Sequence, residues 1–132
     1  MPLVLIVDDS ESVRAAVRAM FEAEPEFTVA GEAVNGLDAI VKAEELSPDL
    51  IVLDLSMPIM NGLEAAETLK ARWPTIPIFV LTAHGGPEVD RAARAAGVDA
   101  VFSKGDDLQR LISSARTAFA SKPHKKRPAK ER

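Results

Sequence analysis

The sequence contains no cysteine and no tyrosine, and its only histidines are His84 and His124. Without cysteine there can be no disulfide framework, thiol nucleophile or thiolate-ligated zinc, and two histidines so far apart make no histidine metal cluster. Thiol redox chemistry is therefore not expected. Long hydrophobic runs are also missing. None approaches the roughly 18 residues that a membrane span needs, and the first apolar stretch, Leu3 to Val7, ends at once in Asp8 and Asp9. These absences lead us to expect a cytoplasmic protein with no membrane contact. What remains is 132 residues, 47% apolar and 27% charged with a formal net charge of −4, which suits one domain with a single core.

The charge is unevenly spread. Residues 1–121 carry 10 Lys and Arg against 19 Asp and Glu, a balance of −9, whereas residues 122–132 carry 6 against 1, a balance of +5. The last segment, KPHKKRPAKER, has two prolines and no apolar periodicity, so it is expected to stand outside the core as a solvated tail. It lacks the aromatics that stack on bases, so contact with nucleic acid or an acidic protein is the lesser reading.

Within 1–121, short apolar runs alternate with longer segments whose apolar residues recur at helical spacing, a repeating strand–helix pattern. The expected strands are Leu3–Val7, Phe27–Ala33, Leu50–Leu53, Ile78–Leu81 and Ala100–Phe102. Several are apolar throughout, as in a parallel sheet covered on both faces, and the more polar second one suits an edge. The first helical stripe is Val13, Ala16, Val17, Met20 and Phe21, and the second is Leu37, Ile40, Val41 and Leu46. Leu63, Ala66 and Leu69 form the third, and Val89, Ala92, Ala93 and Ala96 form the fourth, which Gly97 should close. Leu108, Leu111, Ile112, Ala115 and Phe119 form the fifth, with Asp106 and Asp107 placed to cap it. Five right-handed βα units predict an α/β doubly wound sheet of the flavodoxin-like type, for which the common strand order is 2-1-3-4-5. In that order strands 1 and 3 are neighbours whose crossovers leave to opposite faces, opening a crevice at their carboxyl ends.

The residues expected at those carboxyl ends are Asp8 and Asp9, Asp54, Thr82 and Lys104. Three carboxylates converging in one crevice repel one another unless a cation compensates, and a hard divalent ion is the natural partner for oxygen ligands. Mg²⁺ fits best, because it binds few carboxylates and keeps positions for phosphoryl oxygens. Lys104 would add positive charge and Thr82 a hydroxyl donor, which makes Asp54 a candidate nucleophile for an aspartyl phosphate. Each residue alone has a blander reading. An Asp after a strand often forms a turn or a cap, Ser10 or Asp9 could cap the first helix, Thr82 could end a strand, and an isolated lysine is usually a solvated one. It is the set of five that points to metal-assisted phosphoryl transfer.

The segments VDDS at 7–10, DLSMPIMNG at 54–62, LTAH at 81–84 and VFSKG at 101–105 resemble the receiver domain of two-component response regulators. The likeness covers residue 3 to about 120 and is nearest to receivers of the NarL/FixJ type among these CheY-like domains. It implies that a sensor histidine kinase or phosphotransfer protein donates a phosphoryl group to Asp54. It also implies Mg²⁺ held by Asp9, Asp54 and the backbone carbonyl of Ser56, with Asp8 reaching it through a water. By the same likeness Thr82 is the switch hydroxyl, Lys104 pairs with a phosphoryl oxygen, and Phe102 is the aromatic whose rotamer follows. Plain core filling stays open for Phe102, which ends an apolar strand. A phosphoryl group of charge about −2 on Asp54 would then bias a surface formed by the fourth strand, fourth helix and fifth strand.

Two features modulate the pattern. Gly105 stands where many receivers carry a proline with a cis peptide, so a trans bond and a looser loop are expected. Ser56 and His84 flank the route of the hydrolytic water in that family, which would let them set the phosphoryl lifetime; for His84 the following Gly85 and Gly86 also allow a simple loop reading. In the loop after Asp54, Pro58 should fix the exit and Gly62 should permit positive φ or a close approach.

Other classes fit less well. A flavin-binding fold needs a Ser, Thr or Gly loop after strand 1, where DDSES places carboxylates. A haloacid-dehalogenase-type phosphatase needs an Asp-x-Asp pair that neither Asp8-Asp9-Ser10 nor Asp54-Leu55-Ser56 supplies, so turnover of an external substrate is not expected. The remaining alternative is a phosphorylation-independent interaction module. The expected organisation is a receiver domain at 1–121 followed by the basic tail at 122–132. It would act on a downstream protein target or serve an output domain absent from this chain, without binding DNA directly. Dimerisation on phosphorylation stays open.

Overall fold

A computed structural model describes residues 1–55, 57, 61–83, 85–104 and 108–120. Ten elements alternate: β1 (Leu3–Val7), α1 (Glu11–Glu22), β2 (Thr28–Ala33), α2 (Gly36–Leu46), β3 (Leu50–Leu53), α3 (Gly62–Arg72), β4 (Ile78–Thr82), α4 (Pro87–Ala95), β5 (Ala100–Ser103) and α5 (Leu108–Ala120). The strands form one parallel sheet in the order β2-β1-β3-β4-β5, the expected topology. β2, the most polar strand, lies at an edge, and β1, β3 and β4 are buried almost throughout.

Successive side chains of a strand point to opposite faces, and this splits the apolar residues into two layers. Leu5, Val7, Ile51, Leu53, Ile78 and Val80 pack under α2, α3 and α4, whose buried residues include Ala39, Ala43, Ala65, Ala66, Leu69 and Ala93. Val4, Ile6, Leu50, Val52, Phe79 and Leu81 pack under α1 and α5 with Val17, Phe21, Leu111 and Ile112. All five phenylalanines belong to this second layer. Phe27 meets Phe21 and Phe119 edge-on at 5.2 and 6.0 Å, and Phe79 meets Phe102 at 5.6 Å.

Local signals set the element ends. Ser10 caps α1 by accepting the Val13 N–H at 3.3 Å, and Asn35 caps α2 through Asp38 at 2.8 Å. Asn61 and Glu64 form a reciprocal capping box at α3. At the end of α4 the Gly97 N–H bonds the Arg94 carbonyl and the Val98 N–H bonds the Ala93 carbonyl, with Gly97 at φ 98°, so Gly97 does close that helix.

Three boundaries differ from expectation. β2 begins at Thr28, because the Phe27 N–H is spent on the Glu24 carbonyl in the preceding turn while its ring joins the core. β4 runs on through Thr82 and β5 through Ser103, because the ladder continues across this polar pair, Thr82 opposite Ser103. Thr82 is thus the last residue of its strand and not the first after it. The expectations placed on Ser56, Pro58, His84, Gly105, Asp106, Asp107 and the 122–132 tail lie outside the described residues.

Candidate functional site

Main-chain bonding aligns the candidate residues before any side chain is considered. Asp8 follows β1 and gives its N–H to the Ala33 carbonyl at 3.1 Å, and Asp54 follows β3 and gives its N–H to the Val7 carbonyl at 2.9 Å. Lys104 follows β5 and donates to the Thr82 carbonyl at 2.8 Å. Parallel strands in register therefore deliver Asp8, Asp54, Thr82 and Lys104 to one edge of the sheet, and the β1/β3 crevice falls among them.

Asp8 and Asp54 are each only 2% exposed, Thr82 is 3% exposed, and Asp9 stands in solvent. Asp8, Asp9 and Asp54 each present a carboxylate oxygen within 4.8 Å of the others. Lys104 reaches in from β5, its Nζ 3.0 Å from Asp8 Oδ2 and 3.4 Å from Asp54 Oδ1. Asp8 Oδ1 also accepts the Ser10 N–H at 2.9 Å. Burial works against the Lys104 ammonium, but its hydrogen bond to Asp8 and the charge of Asp54 outweigh this and raise its pKa above the ordinary lysine value. Among the described residues, one ammonium against three carboxylates leaves the cluster negative. A compact set of oxygen donors with excess negative charge and one solvent-facing member is chemistry that fits Mg²⁺.

Gly62 makes the crevice possible from below. A Cβ at this position would lie 2.3 Å from the Asp54 carbonyl oxygen and 2.4 Å from Leu55 Cα, so only glycine lets the start of α3 sit against the chain leaving β3. Its N–H donates to the Leu55 carbonyl at 3.0 Å. The close approach, rather than positive φ, is the reason for this glycine.

Phe102, 3% exposed, packs on Phe79, and the Arg110 guanidinium lies 5.8 Å from its ring centroid. Beside Lys104 a cleft of about 240 Å³ opens between α1 and α5, with Ser12, Val13, Ala16, Leu81 and Leu108 in its walls. Asp8, Asp9, Asp54 and Lys104 thus come together, Thr82 ends the neighbouring strand β4, and Phe102 sits one residue before the end of β5 with its ring in the core. Sequence reasoning missed Arg14. Its Nη1 donates to the Asp8 carbonyl at 2.8 Å and its Nε to Glu32 Oε1 at 2.8 Å. The only signal was an arginine one turn into the helix after the Asp pair, with a partner 18 residues away.

Residues 4–116 match the family model described as the response regulator receiver domain. The chain is 40% identical over 100 residues to a protein-glutamate methylesterase/protein-glutamine glutaminase of Methanosarcina mazei, covering 74% of this chain and 28% of that protein. It is 37% identical over 124 residues to a putative transcriptional regulator of Pseudomonas aeruginosa, covering 94% and 59%. The chain therefore spans between about a quarter and three fifths of these relatives. Among solved structures, the response regulator domain of Thermotoga maritima CheB superposes with a TM-score of 0.84 at 28% identity, covering 93% of this chain and 99% of that one. A LuxR-family two-component response regulator from Aurantimonas sp. gives a TM-score of 0.86 at 27% identity, covering 92% and 87%.

Proposed function

The chain belongs to the response regulator receiver domain family, whose members serve two-component signalling, and on that premise we propose that it is a phosphorylation-driven switch with Asp54 as phosphoacceptor. The observation that carries this reading is the convergence of two buried carboxylates, one exposed carboxylate and one ammonium at the carboxyl ends of β1, β3 and β5. A carboxylate oxygen of Asp54 attacks the phosphorus of the donor, a phosphohistidine of a sensor kinase or phosphotransfer protein. The new P–O bond forms as the P–N bond breaks, and the departing imidazole takes up a proton. Lys104 neutralises one phosphoryl oxygen, shifting its ion pair with Asp54 to the transferred group. The Thr82 hydroxyl, buried at the end of β4, donates to another.

Asp9, Asp54 and the Ser56 carbonyl would hold Mg²⁺ directly and Asp8 through a water. When bound, the ion supplies the positive charge that lets a phosphoryl group approach three carboxylates. Asp8 meanwhile holds Lys104 in place. Once phosphorylated, Asp54 pulls Thr82 and Lys104 toward it, and the Phe102 rotamer follows. This changes the face that binds a downstream target or an output domain.

The receiver unit in this reading is residues 1–121, with 122–132 a separate basic tail, and no external substrate is turned over. The methylesterase named for the Methanosarcina relative belongs to a protein of which this chain spans 28%. Intact-protein mass after incubation with acetyl phosphate and Mg²⁺ tests the proposal. Wild type should gain one phosphoryl group, while Asp54→Ala and a sample with excess EDTA should gain none. No gain in wild type from acetyl phosphate or from a kinase would instead mark a phosphorylation-independent interaction module.

A further inference from the structure

The β1–α1 loop carries two of the three acidic ligands, yet it is only Asp8, Asp9 and Ser10 long. What fixes its peptide planes therefore fixes where Asp9 points. Asp8 is held on three sides: its N–H by Ala33, its carboxylate by Ser10 and Lys104, and its carbonyl by Arg14 Nη1 at 2.8 Å. That carbonyl belongs to the peptide joining Asp8 to Asp9, so the arginine holds the plane from which Asp9 departs.

Arg14 is itself anchored. Its Nε donates to Glu32 Oε1 at 2.8 Å, Arg18 Nε takes the other oxygen of Glu32 at 2.6 Å, and Lys42 Nζ holds the Glu32 carbonyl at 2.8 Å. The side chains of Arg14 and Glu32 are 14% and 27% exposed, so this contact is less screened than a fully exposed pair. Glu32 sits in β2 opposite Ile6 of β1, two residues before Asp8. The Arg18 hydrogen bond, outweighing burial, together with Arg14 holds the Glu32 carboxyl below its ordinary pKa, so the anchor stays charged at neutral pH. A guanidinium has several donors in a rigid fork and can hold the carboxylate and the carbonyl together; a lysine has one nitrogen.

We propose that Arg14 is a positioning residue: it ties the Asp8–Asp9 peptide to Glu32 of the edge strand and thereby sets the affinity of the acidic cluster for Mg²⁺. This rests on the functional reading above, because it takes Asp9 to be a metal ligand. It differs from a purely structural α1–β2 ion pair by one contact, the Asp8 carbonyl. Arg18 provides the control, since it shares Glu32 and is bonded to Glu22 and not to the loop.

The test is calorimetric titration of the full chain with MgCl₂ alone, with urea unfolding run in parallel. Arg14→Met should raise the Mg²⁺ dissociation constant about tenfold, in the range seen when outer partners of metal ligands are removed. Arg14→Lys, which keeps the cation and the helix, should weaken binding by a smaller factor and covers the case in which Arg14→Met folds poorly. Arg18→Met should lower the urea midpoint yet leave the dissociation constant within about twofold. If both Arg14 variants bind Mg²⁺ as wild type does, Arg14 is structural only and the inference falls while the functional reading stands. If wild type itself binds no Mg²⁺, the functional reading falls and takes the inference with it.

Discussion

At the amino end of the sheet, Asp49 Oδ2 accepts the Leu3 N–H at 2.8 Å, and Asp99 Oδ2 accepts the Ile78 N–H at 2.8 Å. Lys70 Nζ lies 3.0 Å from Asp99 and also donates to the carbonyls of Ile76 and Pro74. At the carboxyl end, Asp8, Asp9 and Asp54 crowd together, and Lys104 pairs with Asp8 and Asp54. The residue types are the same, and in two cases they flank the same strand: Asp49 and Asp54 bracket β3, and Asp99 and Lys104 bracket β5. The difference is geometric. At the amino end each acid is matched to the first N–H of a neighbouring strand, so its charge is spent on holding the sheet in register. At the carboxyl end the crossovers from β1 and β3 diverge, the acids meet one another, and charge is left over for a ligand. An aspartate beside a strand becomes a candidate for chemistry through convergence, not through its identity.

Substitutions paired across the sheet should break this symmetry. The largest contrast is Asp54→Asn against Asp49→Asn: the first abolishes phosphoryl acceptance from acetyl phosphate, while the second retains it and loses stability, as read by intact mass and urea unfolding. Next comes the lysine pair. Lys104→Met removes one charge-assisted donor from the transferring group and should slow phosphorylation about a hundredfold, whereas Lys70→Met should leave the rate unchanged in the same time course.

Smaller effects separate the ends by sign. Without divalent ions, Asp99→Ala removes the acceptor of the Ile78 N–H and should destabilise by about 1 kcal/mol. Asp9→Asn relieves like-charge repulsion and should stabilise by about 0.5 kcal/mol; urea midpoints in EDTA measure both. The smallest effect is in alkali. Folding raises the Lys104 pKa, so its contribution is fully present below the unfolded lysine value of about 10.4 and is lost as pH rises through the higher folded value. Wild type should therefore lose stability more steeply than Lys104→Met above that pH, in urea midpoints followed against pH.

Much of the fold was legible because β1, β3, β4 and β5 are short apolar runs ended by a polar residue. Such runs mark the sheet interior, and the polar Asp8, Asp54 and Lys104 mark where it stops. The reading failed where an apolar residue serves a turn, as at Phe27, where a polar one continues the ladder, as at Thr82 and Ser103, and in the second helical stripe, where Leu37 and Val41 face solvent and α2 buries Ala39 and Ala43 instead. The cluster was legible from position alone once the topology was assumed. Arg14, Asp49 and Asp99 were not, because their roles depend on contacts between distant segments: Asp49 meets Leu3 across 46 residues and Asp99 meets Ile78 across 21. Before the strands are paired, nothing distinguishes these residues from solvated surface charges.

The central claim is that only the carboxyl-end cluster accepts a phosphoryl group, and at Asp54. Borohydride reduction of the acetyl-phosphate-treated protein converts an aspartyl phosphate to homoserine, which peptide mass spectrometry locates by residue. Homoserine is expected at position 54, dependent on Mg²⁺, with Asp49 and Asp99 intact. Reduction at any other aspartate, or none at 54 in a protein that has gained the phosphoryl mass, would contradict it.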